Sequence, residues 1–262
     1  MPKVTYERRG AAALLTIARR ERRNAVDDET AGLLAEGFRS FEADADARAL
    51  VLTGEGPEAF CAGADLKAIA AAPLDESTVR DSLAARPAGP LGFTRLTPTK
   101  PTIAAISGWC LAGGFELALW CDLRIAAETA KLGFTERRFG VPLIDGGTQR
   151  LSRVVGMGRA LELILTGRVV GAAEALSWGL LTEVVPPGEH LERALEMAEG
   201  LAAFPQETML SDRRAAIEGA GLALADGLAL EAELGAASVM AGVRGAARFA
   251  SGEGRGGAGA GV

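Results

Sequence analysis

Apolar positions along the chain come in short strand-like bursts at first and in helical periods beyond Gly146. Alternation in Ala12-Leu14-Thr16 and the unbroken apolar run Ala49-Leu50-Val51-Leu52-Thr53 predict two strands, with a helix between them that Asp27 or Asp28 caps. That is a β-α-β beginning. Ile103-Ala104-Ala105-Ile106 repeats the short buried-strand pattern and leads through a Gly-rich turn into a helix from Gly113 to Trp120, a further crossover unit. Between these units, 71–99 carries Pro73, Pro87, Pro90 and Pro98 with weak periodicity, which predicts a long, mobile connection around a short helix, bordering a ligand site.

Beyond Gly146, helices are predicted over 148–155, 159–165, 172–178, 191–203 and 206–218, with Leu181-Thr182-Glu183-Val184-Val185 as one late strand. The segment 223–249 is helical in composition and apolar on more than one face, which suits packing against another subunit. Its Gly-rich continuation, 251–262, reads as a disordered tail.

Composition narrows the function. With 262 residues, 48% of them hydrophobic, the chain can fill a large core. A formal net charge of −6 argues against a nucleic-acid or anionic-membrane surface and leaves small molecules as the better ligands. The N-terminus has no apolar signal run, and the most apolar region, 101–121, is interrupted by Glu116 and several glycines, so a cytoplasmic protein without a membrane span is expected. Cys61, Cys110 and Cys121 have no metal-ligand or disulfide spacing and read as buried fillers. A single histidine, His190, in a helix-entry turn leaves nucleophile-histidine schemes without support.

Two glycine-rich stretches remain, Phe60-Cys61-Ala62-Gly63-Ala64-Asp65-Leu66 and Gly108-Trp109-Cys110-Leu111-Ala112-Gly113-Gly114-Phe115-Glu116-Leu117, each where a buried strand ends. Small residues there leave main-chain N–H groups open to a reacting carbonyl, so the pair reads as the two halves of an oxyanion hole, with donors at Ala64 and Gly113. Ordinary tight strand-to-helix turns are the alternative. Glu116 enters the first turn of an otherwise apolar helix, where desolvation raises its pKa and the helix dipole lowers it, with the net direction left open. Glu136 could share acid and base duties with it. Its neighbours Arg137 and Arg138 favour instead a solvated charge cluster or a surface salt bridge.

Taken together, Arg23-Asn24-Ala25, Val51-Leu52-Thr53-Gly54, 60–66, 108–117 with Cys121-Asp122, and Gly146-Gly147-Thr148-Gln149-Arg150-Leu151 resemble the crotonase, or enoyl-CoA hydratase/isomerase, family, most closely its hydratases. The resemblance runs from about Arg23 to Gly188. It implies an α/β fold of the ClpP/crotonase kind, a β-β-α superhelix over residues 1–195, followed by a helical trimerisation region over 196–250, and a homotrimer or a hexamer of two trimers. It also implies hydration of a trans-2-enoyl-CoA to a 3-hydroxyacyl-CoA, with coenzyme A as part of the substrate and no separate cofactor or metal. The oxyanion donors fall on Ala64 and Gly113 and the two acid/base groups on Glu116 and Glu136. The loop of Ala62, Ala64, Asp65, Leu66 and Lys67 lines the coenzyme, with Lys67 near its phosphates. Arg19, Arg20, Arg22 and Arg23 either assist there or form a solvated turn. A double-bond isomerase and a non-catalytic acyl-CoA-binding homologue are the rival readings.

Two departures from the family pattern stand out. Ala112 replaces a glycine in the second donor loop, a mild change at the level of sequence. Asp145 puts a third acid near the site, either as a further acid/base group or, by the preference of Asp for positions before helices, as the N-cap of the helix carrying Thr148 to Arg150.

Overall fold

The computed structural model describes residues 2–71, 75, 77, 80, 81 and 84–252. Strand β1 (Val4–Arg9) pairs antiparallel with β2 (Ala12–Ile17), and helix α1 (Asp28–Ala43) then carries the chain over to β3 (Ala49–Gly54), parallel to β2. Asp27 caps α1, accepting a hydrogen bond from the Thr30 N–H at 2.9 Å. The opening β-α-β unit is therefore as the pattern predicts. Strand β1 escaped that reading because Glu7, Arg8 and Arg9 put charge along an edge strand, a common defence against edge-to-edge pairing.

From β3 onward the chain winds as repeated β-β-α turns. Strand β3 is followed by the short β4 (Ala59–Cys61) and α2 (Leu66–Ala71), β5 (Thr102–Ile106) by β6 (Trp109–Leu111) and α3 (Gly113–Trp120), and β7 (Leu123–Ala127) by β8 (Lys131–Gly133). A 3₁₀ helix (Thr135–Phe139) and α4 (Gly147–Val155) complete the third turn. The first strand of each pair joins a sheet of order β1-β2-β3-β5-β7-β10, and the second joins β4-β6-β8-β9. Strands β9 (Val169–Gly171) and β10 (Glu183–Val185) close the two sheets. Leu50, Val51, Leu52, Ile103, Ala104 and Ala105 are fully buried, as expected for parallel strands covered on both faces. The three cysteines are free and buried.

The predicted later helices appear as α4, α5 (Met157–Thr166), α6 (Ala172–Ser177), α7 (His190–Ala203), α8 (Gln206–Gly219) and α9 (Leu224–Ala250). The chain divides into two compact units, Met1–Glu196 and Met197–Val262, with the boundary inside α7. In the second unit α8 packs against α9, which leaves Leu224, Leu228, Val239, Met240, Val243 and Phe249 exposed. Eight residues of the predicted mobile connection, 72–74, 76, 78, 79, 82 and 83, and the tail beyond residue 252 lie outside the described residues. Among the described residues no helix is long and apolar enough to cross a membrane.

The end of that connection departs from the expectation of a free loop. Leu91, Phe93 and Thr94 are buried, and Phe93 stacks in a cluster with Phe38 and Trp120, its ring centroid 4.5 Å from that of Trp120. The Trp120 indole N–H donates to Leu96 O at 2.8 Å. Prolines and weak periodicity disguised a segment held by aromatic packing, whose worth of about 0.5–1.5 kcal/mol per pair adds to burial.

Candidate active site

Parallel pairing of β4 with β6 sets their C-terminal turns side by side. The approach is close: a Cβ on Gly63 would stand 2.7 Å from Gly113 N, and one on Gly114 would stand 2.1 Å from Cys61 O. Glycine is required at both positions. Val26 N–H donates to Gly63 O at 2.8 Å and Asp65 N–H to Val26 O at 2.9 Å, an arrangement that turns the intervening Ala64 N–H away from Val26. Gly113 opens α3, where N–H groups have no intrahelical acceptor. Among the described residues neither the Ala64 nor the Gly113 N–H has a hydrogen-bond acceptor. A Cβ on Gly113 would lie 3.6 Å from Ala64 N, so the two nitrogens are no more than about 6 Å apart, within reach of one oxygen.

Ala112, which precedes them, has φ +52° and ψ −127°. This backbone belongs to glycine, so the replacement that looked mild in the sequence carries strain in the structure.

Glu116 is 3% exposed and lies among Phe115, Leu117, Ala118 and Leu119. Its Oε1 accepts the N–H of Gly147 at 2.7 Å and of Asp145 at 3.0 Å. It therefore satisfies donors of the turn before α4, not those of its own helix. Burial outweighs these two bonds, and with the nearby charges of Asp145 and Glu136 it lifts the Glu116 pKa from 4.5 to about 7. A Cβ on Gly147 would stand 2.8 Å from Phe134 Cζ and 3.0 Å from Glu116 Oε1, so a larger residue here would press on both side chains.

Glu136 is 6% exposed, and among the described residues neither carboxylate oxygen has a hydrogen-bond partner. Burial raises its pKa. The solvated charge cluster predicted from its neighbours does not form around it, because Arg137 and Arg138 point elsewhere: Arg137 Nε donates to Ile164 O and Arg138 Nη2 to Gly167 O. Both bind carbonyls at the C-terminal end of α5, which carries a partial negative charge. Tilted packing of Phe115 on Phe134, with ring centroids 4.7 Å apart, fixes the two glutamate-bearing segments against each other.

Asp145 is not a helix cap. Gly146, with φ +103°, occupies the N-cap position of α4, and the Asp145 carboxylate turns to the buried segment before β5 instead. Its Oδ1 accepts the Leu91 N–H at 3.1 Å and a short bond from the Thr94 hydroxyl. Burial raises its pKa against these bonds. Leu91 Cδ1 would meet a Cβ on Gly113 at 2.8 Å, so this leucine walls the second donor turn. Leu91 and Thr94 were not legible as site residues, since nothing in 88–96 has a chemical signature.

In the loop after β4, the Asp65 carboxylate faces inward. Its Oδ2 accepts from Arg19 Nη2 at 3.0 Å, while Oδ1 accepts the N–H groups of Lys67 and Ala68 and so caps α2. Arg19 is buried between Asp27 and Asp65, which removes it from the solvated basic turn of the sequence reading. Leu66 and Lys67 are exposed, as are Arg20, Arg22 and Arg23. A cavity of about 580 Å³ is lined by Arg23, Lys131 and Arg138 with Trp109, Leu111, Thr135, Phe139, Val169 and Gly171. It borders both the Arg23 turn and the 3₁₀ helix carrying Glu136.

Comparison with known proteins identifies the family. A family model described as Enoyl-CoA hydratase/isomerase matches residues 7–242. A probable enoyl-CoA hydratase of Rhizobium meliloti is 39% identical over 229 residues, 87% of this chain and 86% of that protein. A short-chain-enoyl-CoA hydratase of Clostridium acetobutylicum is 36% identical over 88% of this chain and 87% of its own length. The crystal structure of enoyl-CoA hydratase from Bacillus anthracis superposes with a TM-score of 0.86 at 34% identity, covering 95% of this chain and 96% of that one. With repeated β-β-α turns and a matching model over most of its length, the chain belongs to the enoyl-CoA hydratase/isomerase family.

Proposed function

We propose that this chain adds water reversibly to a trans-2-enoyl-CoA, giving a 3-hydroxyacyl-CoA. The observation that carries the reading is the pair of buried carboxylates, Glu116 and Glu136, together with two adjoining turns whose Ala64 and Gly113 N–H groups have no acceptor among the described residues. The Ala64 and Gly113 N–H groups would bind the thioester oxygen and stabilise it as the enolate forms. Glu116, whose pKa burial lifts to about 7 against two accepted N–H bonds, acts in its ionised form and takes a proton from water as the hydroxide adds to C3. Glu136, whose buried carboxylate oxygens have no hydrogen-bond partner among the described residues, is suited to the neutral form and delivers its proton to C2. Proton count balances over the two steps, and water afterwards returns the groups to their starting states.

For the rest of the substrate, the main chain of Ala62, Ala64, Asp65, Leu66 and Gly113 and the exposed Lys67 would line the coenzyme. Among the described residues the cavity with Arg23, Lys131 and Arg138 has a lining whose charges are all positive, in a chain of net charge −6, a charge complement for a phosphate-bearing thioester. Residues 1–195 would carry catalysis, and 196–250 would assemble a homotrimer or hexamer through the apolar side chains that α9 leaves exposed. The test is loss of enoyl-thioester absorbance with 2-enoyl-CoA esters of graded length and branching. Conversion of 3-enoyl esters without any hydration would replace the reading by an isomerase, and tight binding without turnover would replace it by a binding protein.

A further inference from the structure

Asp145 is used by neither the proposed chemistry nor the helix that follows it, yet it is 4% exposed and bonded on both its side chain and its main chain. The carboxylate holds Leu91 N–H and the Thr94 hydroxyl, and the main-chain N–H holds Glu116 Oε1 at 3.0 Å. Further ties run between the same two segments. Arg150 Nη1 donates to Asp145 O at 2.9 Å, its Nη2 donates to Thr94 O at 2.5 Å, and Arg95 Nη2 donates to Ile144 O at 3.2 Å. Leu91, at the other end of this arrangement, packs on Gly113.

We infer that Asp145 is a positioning residue, whose carboxylate pins the Leu91 wall over the Gly113 turn while its amide fixes the Glu116 carboxylate. The inference rests on the proposed acid/base role of Glu116. One residue thereby sets the spacing between the carbonyl-binding turn and the group that activates water, and a shift of about 1 Å in such a constellation costs up to about 100-fold in rate. The arrangement also has an electrostatic side. Glu116 is faced by Asp145 from the preceding turn, by Glu136 from the 3₁₀ helix and by Arg150 from α4, and Asp145 in turn by Arg95 and Arg150.

The test compares Asp145→Ala, Asp145→Asn and Thr94→Val. Asp145→Ala should lower kcat roughly 10- to 100-fold with KM changed less than about threefold. Asp145→Asn keeps an oxygen that accepts both bonds and should recover most of that loss, but it removes a negative charge, so the Glu116 titration should move to lower pH. Thr94→Val should reduce kcat in the same direction by a smaller factor, and it carries the rate test where Asp145→Ala does not fold. Two results overturn the inference: Asp145→Asn as inactive as Asp145→Ala, which would make Asp145 an acid/base group itself, or an unchanged kcat in Asp145→Ala or Thr94→Val. Carboxyl NMR of Glu116 reads the same titration without any substrate. Wild-type protein that hydrates no 2-enoyl-CoA would therefore sink the proposed function alone, while an unmoved Glu116 signal in Asp145→Asn would sink this inference.

Discussion

Gly63 and Gly113 meet backbone to backbone: a Cβ on the first would stand 2.7 Å from the nitrogen of the second. The contact joins the ends of β4 and β6, and it sets the Ala64 and Gly113 nitrogens no more than about 6 Å apart, neither with an acceptor among the described residues. At Gly63 any side chain is doubly opposed, by φ +88° and by that nitrogen. At Gly113 the obstacle is softer, since its virtual Cβ meets only the tip of Leu91. Gly113→Pro should nonetheless remove a donor worth about 3 kcal/mol of transition-state stabilisation, roughly 100- to 1,000-fold in kcat. Lys67→Ala, at an exposed position, should leave kcat close to wild type and act through KM. Steady-state kinetics on the best enoyl-CoA ester distinguish the two, and equal kcat losses would contradict the division between chemistry and binding.

Removing either carboxylate's acid/base function should be severe. Glu116→Gln and Glu136→Gln should each reduce turnover by about 100- to 10,000-fold while acyl-CoA affinity, read by calorimetry with the 3-hydroxyacyl product, stays within a few-fold. Gln at 116 can still accept the Asp145 and Gly147 N–H groups, so its loss reports chemistry and not a collapsed turn. A Glu136→Gln variant with normal turnover would remove Glu136 from the mechanism.

Local signals made much of this architecture legible. The opening β-α-β unit, the helix at 113–120 and the later helices follow apolar periodicity that survives in the structure with boundaries moved by a residue or two. The short strands β4, β6 and β8 were hidden, because three residues cannot display an alternating period. Glu116 was legible as a charge inside an apolar helix. Glu136 was not legible from its neighbours, since Arg137 and Arg138 suggested solvent and only the tertiary path to the end of α5 separates them from it. Asp145 misled through local preference: its carboxylate serves Leu91 and Thr94, more than fifty positions earlier, and no spacing rule reaches so far.

Ala112 offers a stability test within the second donor turn itself. Its φ of +52° with ψ −127° costs a residue with a Cβ about 1–3 kcal/mol, whereas glycine adopts it freely. Glycine also raises unfolded-chain entropy, which opposes the gain by roughly 0.4–1 kcal/mol. Ala112→Gly should therefore stabilise the protein by about 1 kcal/mol in denaturant unfolding. A lowered unfolding midpoint would show that the alanine methyl contributes more in packing than its backbone costs.

Glu116 links activity to stability through pH, and the sign follows from the direction of its shift. The folded-state pKa, about 7, lies above the ordinary value of 4.5, so folding favours the protonated form. Its contribution is fully present below pH 4.5, falls as pH rises through 7, and leaves an ionised buried carboxylate that costs roughly 3 kcal/mol at higher pH. Glu116→Gln cannot ionise and should exceed wild type in thermal stability at pH 8.5, with the difference vanishing near pH 4.5. Wild-type kcat/KM should rise over the same interval, with an acid limb near pH 7, because the base must be ionised to take a proton from water. The two measurements constrain one group from opposite sides: the pH that improves the enzyme as a catalyst is the pH that strains it as a fold. An acid limb near pH 4.5 with no stability gain in Glu116→Gln would place the carboxylate in water and not in the buried turn beside Gly147.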